Sequence, residues 1–477
     1  MAEYDLSKTI IPYLDRHMSF PILAHLADTG LFPSKEVLVA QYELTKGTNM
    51  FDYAATLFEK LYPGQQVPAE FDGKRKSAVS TNQRLEQEAQ AVLDVIENPD
   101  VAQALRQDKN QNLQYLKDNY NVTLDQINAL YTFGQFQYSY GNYPGAADYL
   151  YHFRVLSTDP ELTTSAHWGK LASDILVGRW DVALEELNTL RDALDARSAP
   201  ALLGSAAASS SGSSQPEPAL GQLHSRTWLA HWSLFVYFNH PQGRTQLLDT
   251  FLAPSYLNTI QSAAPWILRY LAAAAILSRK ATLSPAPGAP GAPATPVSPR
   301  VRHAIREVVK IVQTEAYQYN DPITDFLREL YVEFDFEAAQ KALGQAEEVV
   351  GNDFFLGEHK EEFLDNARYL ISEAYCRIHQ KIDIANLSER LNLSQEEGEK
   401  WIVNLIRETR MGADAKIDLE KNVIEINRPP LPVYQTVIEK TRQLAVRTQT
   451  LGVAVARSGQ QQQQSQQESK APEVAVA

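Results

Sequence analysis

The sequence predicts a mainly α protein: stacked antiparallel helix pairs forming an α-solenoid, then a C-terminal winged helix and a terminal helix. Three observations predict it. Apolar residues recur at helical spacing through most of the chain, as in Val92, Leu93 and Ile96 or Leu327, Leu330, Tyr331 and Phe334. A short residue frame repeats after 37 residues. Strand-like alternation is confined to one stretch near the end, residues 416–426.

The frame is Gly141-x-Tyr143-x-x-Ala146-x-x-x-Leu150, and it returns as Gly178-x-Trp180-x-x-Ala183-x-x-x-Leu187. Its physical content is a tight turn at glycine, an aromatic residue that covers the hairpin, and an alanine where two helices approach closely. Upstream residues keep the same offset: Ala129 with Ala166, Tyr131 with Trp168, Gln135 with Ala172, Tyr138 with Ile175. A copy at Asn49, Phe51, Ala54 and Phe58 precedes them. A late copy at Phe334, Phe336, Ala339 and Leu343 has lost the turn glycine.

Residues 1–197 are therefore read as N-terminal helical repeats, and 221–283 and 300–362 as further repeats. Between them lie 198–220, rich in Ala, Ser and Pro, and 284–299, with a Pro-Ala-Gly run. These two segments and the Gln-rich tail 458–477 hold too little apolar area to offset chain entropy, and disorder is expected. The most apolar stretch, Ala263 to Leu277, is interrupted by Arg269 and falls short of the ~20 residues of a membrane span, so it reads as a buried helix.

From Phe363 the pattern becomes that of a compact unit, residues 363–430. Phe363, Leu364, Ala367, Leu370, Ile371 and Ala374 line one face of a long helix running to about His379. Lys381–Ile384 reads as a short strand, and Leu387 and Leu391 as part of a short helix. Ser394-Gln-Glu-Glu397 forms a capping box for a third helix bearing Trp401, Ile402, Leu405 and Ile406, with Gly412 as its C-terminal cap. Ile417 and Leu419, a turn at Glu420-Lys-Asn422, then Val423, Ile424 and Ile426 make a hairpin wing. Pro429, Pro430 and Pro432 end the module, and a terminal helix is expected within 431–457.

The third helix decides between the uses of a winged helix. Glu396, Glu397, Glu399 and Glu408 outnumber Lys400, Arg407 and Arg410, which argues against reading DNA in a major groove. Exposed strand edges in the wing suit strand addition by a neighbour, so Ile417, Leu419, Val423, Ile424 and Ile426 are the candidate partner-binding residues. The net charge of −14 argues against adhesion of the whole chain to nucleic acid or anionic membrane. A single cysteine, Cys376, allows no internal disulfide and fits a reducing compartment, and the acidic start Met1-Ala-Glu does not read as a secretory signal.

Motifs for phosphate loops, dinucleotide turns, nucleophile elbows or zinc-binding histidine pairs are absent from the sequence, so no catalytic, cofactor or metal site is expected. Cys376, with His379 one turn on, reads as a core cysteine rather than a nucleophile. His17 and His25 read as ordinary helix positions rather than ligands. Lys74-Arg-Lys76 beside Gly73 reads as a solvated loop rather than an RNA contact.

Helical repeats leading into a winged helix resemble the PCI module shared by components of the proteasome lid, the signalosome and eukaryotic translation initiation factor 3. Met1-Ala-Glu-Tyr-Asp-Leu6, Leu14-Asp-Arg-His17 with Phe20-Pro21, Thr48-Asn-Met50, Leu330-Tyr-Val-Glu-Phe-Asp-Phe336, Ala339-Gln-Lys341 and Ile382-Asp-Ile384 with Leu387 resemble the e-subunit family of that factor. The resemblance implies a cytoplasmic, non-catalytic scaffold without cofactor or small-molecule substrate. Its partners would be other PCI-containing and associated subunits, with the small ribosomal subunit and messenger RNA reached through the complex. A lid or signalosome subunit, or a winged-helix nucleic-acid-binding regulator, are the alternatives.

Overall fold

The computed structural model describes residues 2–66, 68–96, 109–120, 122–197, 219–280, 298–390, 394–408, 415–418, 422–426 and 433–468. The chain is an α-solenoid of stacked helices followed by a winged helix, as its periodicity predicts. It divides into two compact units: residues 1–375 with 390–392, and residues 376–389 with 393–477. The segments 198–220 and 284–299, expected to be disordered, lie almost wholly outside the described residues, as do Leu391, Gly412 and Leu419.

In the larger unit, helix pairs are joined by turns of two residues where the frame operates. Leu124–Tyr140 turns into Tyr143–Leu156, and Pro160–Val177 into Trp180–Arg197. Thr123 and Gln126 form a reciprocal capping box on the first of these, and Asp159 caps the third. Further pairs follow, with Ala219–Asn239 against Gly243–Phe251 and Pro322–Arg328 against Phe336–Asn352. Gly243 is needed where the first two of these helices meet, because an added Cβ would lie 2.3 Å from the Tyr237 carbonyl oxygen.

Three expectations are corrected. Ala263–Leu277 is not one helix: Pro254–Ala263 ends at Ala264, Pro265 opens a 3₁₀ turn, and Leu268–Leu277 departs at 118° from the preceding helix. The proline cannot donate to a continuing helix, and the residue before it is pushed out of helical geometry. Among the described residues no single helix is long and apolar enough to cross a membrane; the bent pair meets the test in length and composition, but Leu268–Leu277 is buried throughout. Lys74, Arg75 and Lys76 lie inside the helix Ala69–Ile96 rather than in a loop, with Arg75 3.1 Å from Asp52. The terminal helix runs Val433–Glu468, past the expected boundary at 458, because Gln and Glu are good helix formers and no proline intervenes.

The start of the chain makes contacts that the sequence pattern does not address. Its first turns lie on helices more than 200 residues away in sequence. The Trp232 indole donates to the Tyr13 carbonyl at 3.1 Å, and the His231 ring stacks on Tyr13 at 4.4 Å. His25 Nε2 lies 3.1 Å from the Asn352 carbonyl, and Arg269 donates to the Tyr4 carbonyl at 2.7 Å.

The smaller unit contains a three-stranded antiparallel sheet of order β1-β3-β2, where β1 is Lys381–Asp383, β2 Ala415–Asp418 and β3 Val423–Ile426. The helices Ile384–Arg390 and Gln395–Glu408 stand between β1 and β2 in sequence, which is the order of a winged helix. Ser394 and Glu397 cap the second reciprocally. Asn422, at φ 52°, makes the left-handed turn into β3.

Candidate assembly surfaces

The frame residues hold the repeat together from inside. Gly141 and Gly178 end their helices at φ 98° and 81°, each donating to two carbonyls of the preceding turn. The next residues, Asn142 and Arg179, donate to the Gln137 and Asp174 carbonyls, completing a Schellman closure in both copies. Ala146 and Ala183 are fully buried, and so are Ala54 and Ala339 in the outer copies. Phe334 takes the glycine position of the late copy and is itself left-handed at φ 57°. Trp180 is half-buried and packs over its own turn.

Tyr143 does more than cover a hairpin. Its hydroxyl lies 3.0 Å from His17 Nδ1, and the neighbouring Tyr138 donates to Asp15 at 2.7 Å. Burial, then the Asp15 carboxylate, pushes the Tyr143 phenol up to about 12, and the same causes hold Tyr138 well above its ordinary value. Burial lowers the His17 imidazole, against the pull of Asp15. His17 is therefore a buried packing residue. Among the described residues no group of three His, Cys, Asp or Glu side chains could hold a metal ion.

Two buried charge networks have no signal in sequence spacing. Arg269, 2% exposed, donates from Nε to Asp321 at 2.7 Å and from a terminal nitrogen to Asp353 at 3.3 Å. Tyr270 donates to the same Asp353 at 3.0 Å, and burial pushes that carboxyl up. In the second network Glu186 accepts from Arg154 at 2.6 and 2.7 Å, pairs with His167, and has Lys170 at 3.4 Å. Burial would raise the Glu186 carboxyl, but the His167 hydrogen bond with the Arg154 and Lys170 charges holds it at about 2. Each network ties three or more elements together, which is a structural use of buried charge.

The wing redistributes its predicted contact residues. Ile382, Ile424 and Ile417 are register partners across the three strands, while Lys381, Glu425 and Lys416 form the adjacent row. Lys381 pairs with Glu425 at 2.8 Å. Ile424 and Ile426 are buried, 2% and 5% exposed, so they serve the module's own core rather than a partner. β3 is paired on both sides, so Val423 also stands on a strand that cannot accept a neighbour. Among the described residues the outer strand of the hairpin is β2, which carries Ile417. The terminal helix adds a surface not foreseen: Val437, Leu444 and Leu451, seven residues apart and each more than half exposed, lie on one stripe.

Stacked helix pairs ending in a winged helix define a PCI-type protein. A family model described as PCI domain matches residues 329–428, and one described as eIF3 subunit 6 N terminal domain matches residues 5–137. The chain is 53% identical over 469 residues to the E subunit of eukaryotic translation initiation factor 3 from Mycosarcoma maydis, covering 96% of this chain and 86% of that one. It is 48% identical to the E subunit from Cryptococcus neoformans and 46% to that from Aspergillus fumigatus, covering 96% and 95% of this chain and 94% of each relative. The chain belongs to the E-subunit family of eukaryotic translation initiation factor 3.

Proposed function

We propose that this chain is a non-catalytic scaffold subunit of translation initiation factor 3. It acts in the cytoplasm, supporting assembly of the preinitiation complex on the small ribosomal subunit and recruitment of messenger RNA. The observation that carries the reading is identity along nearly the whole chain to relatives bearing that name, repeats and winged helix alike. The same identity favours the initiation factor over the proteasome lid and the signalosome.

Two features support a scaffold role. The outer strand of the described sheet, β2, is placed for strand addition by another PCI-containing subunit, and the stripe through Val437, Leu444 and Leu451 offers an apolar seam to a helix. Ribosome and messenger RNA are reached through the complex, without cofactor, small-molecule substrate or membrane. Co-sedimentation of the tagged chain with small ribosomal subunits, with mass spectrometry of the copurified proteins, tests this. A profile confined to proteasome-sized particles would overturn it.

A further inference from the structure

An open groove of about 340 Å³ lies in the larger unit among the helices Leu124–Tyr140, Pro160–Val177 and Ala219–Asn239. Its walls are aromatic: Trp168, Trp228, Trp232, Tyr131 and Tyr138, with Asp15 at one side. Trp168 and Trp232 stand edge to face at 4.8 Å, and Trp228 lies nearly parallel to Trp232 at 6.3 Å. Trp232 is buried and locked by its bond to the Tyr13 carbonyl, so it forms a fixed back wall. Trp228 is 42% exposed, an unusual position for the largest apolar side chain.

The polar groups of this groove are incompletely used. Among the described residues neither the Trp168 nor the Trp228 indole N–H has a hydrogen-bond partner. Asp15 Oδ1 accepts from the His17 backbone N–H at 2.9 Å and from Tyr138 at 2.7 Å, while Oδ2 has no partner within the described residues. Among the described residues Asp15 is also the only charged side chain in the lining.

Crossed aromatic planes, with two indole N–H donors that have no partner among the described residues, match one class of ligand closely. A polyproline II segment has no internal hydrogen bonds, so its carbonyls are available to indole donors, and its prolyl rings fit slots between aromatic faces. Its stiffness keeps the ordering cost low. The volume accommodates about one turn, three residues with a rise of ~3.1 Å each. The lone carboxylate sets the sign of the flanking residue, which must be Arg or Lys.

We propose that this groove docks a proline-rich segment of a partner protein, bearing an arginine or lysine beside its prolines. The prolyl rings pack between Trp168, Trp228 and Tyr138, the indoles donate to ligand carbonyls, and Asp15 pairs with the cation. This goes beyond scaffold assembly through the winged helix and is tested independently of it.

The test is fluorescence titration of the purified full chain with a synthetic peptide of alternating proline and alanine ending in arginine. Saturable quenching of tryptophan emission is expected. Two control peptides, with prolines replaced by alanine or arginine by glutamate, should bind at least about tenfold more weakly. Trp228→Ala should lose about tenfold or more in affinity, with Trp228→Phe, which keeps a ring but no N–H, in between. Gln135→Arg changes an exposed lining residue and places a cation near Asp15, so it should weaken the arginine peptide and spare the glutamate one. Unchanged circular dichroism melting of Gln135→Arg keeps the test independent of any fold defect in the Trp228 variants. Equal binding of the alanine peptide, or no saturable binding by the parent, would overturn the proposal.

Discussion

Replacing Arg269 by methionine removes a cation that faces two carboxylates inside the larger unit. Asp321 keeps Tyr319 at 3.1 Å and the Thr324 backbone N–H at 2.8 Å, and Asp353 keeps Tyr270 and the Phe355 backbone N–H at 3.0 Å. Their charges would nonetheless stand uncompensated in a site 1% and 5% exposed. Breaking a buried pair from one side costs about 3–5 kcal/mol, a large share of a stability of roughly 5–15 kcal/mol. The cost carries a pH signature. Burial already raises Asp353, and without the guanidinium the folded state prefers it protonated more strongly. A carboxyl whose folded pKa lies above its unfolded one loses stability as pH rises between the two. The deficit of Arg269→Met should therefore be smaller near pH 5 than near pH 8. Urea unfolding followed by circular dichroism measures it, and hydrogen exchange should show the segment around Tyr4 released, because its carbonyl loses its donor. Arg269→Lys, keeping the charge without the fork, should fall between. A methionine variant within about 1 kcal/mol of the parent at both pH values would refute the reasoning.

Gly178→Ala should cost about 1–2 kcal/mol, since alanine must adopt φ 81°; an unchanged melting temperature would count against the turn's role. Gly398→Ala brings a Cβ to 2.6 Å from that of Ser388 and should destabilise the smaller unit by about 1–3 kcal/mol, with Ser388→Gly restoring it. Ile424→Asp puts a charge at a position 2% exposed and should abolish exchange protection of the sheet, not merely detach neighbours. Burial holds the His231 imidazole at about 4, its Nδ1–H donating to the Thr227 carbonyl and Nε2 accepting from Trp266. A folded pKa below the ordinary 6.5 means this stability is complete above pH 6.5 and is lost as pH falls toward 4, by about 3 kcal/mol in full; His231→Phe should flatten that slope in melting experiments.

The parts of the fold legible in the sequence are those with a local steric cause. Glycine at a helix end, alanine at a close crossing and Ser394 three residues before Glu397 each act within a few residues, so spacing alone exposes them. Phe334 shows the limit of that reading. The late copy keeps the left-handed turn without the glycine that signals it, with the Phe334 N–H donating to the Glu329 carbonyl. The glutamine-rich tail shows another, since its low complexity points to disorder while helix propensity carries the element on to Glu468. What stays hidden depends on residues distant in sequence. Arg269 reads as an interruption of an apolar run, and only the approach of Asp321, Asp353 and Tyr4 makes it a centre. The aromatic groove uses the repeat offset for Tyr131 with Trp168 and Gln135 with Ala172, but Asp15, Trp228 and Trp232 join it from segments distant in sequence.

The wing illustrates how structure narrows a surface that sequence can only propose. Period-two alternation identifies a hairpin but does not say which strand pairs with β1, and the alternating isoleucines could face core or partner equally well. Once β3 is central, its isoleucines and both its backbone edges are spent within the module, and a one-residue slip would turn every isoleucine to the other face. The proposed assembly contacts are then the outer strand β2 and the stripe Val437, Leu444 and Leu451. Changes there should weaken recovery of partner subunits while leaving the melting curve in place. Changes at Ile424 or Ile426 should do the reverse, losing the fold first and partners only as a consequence.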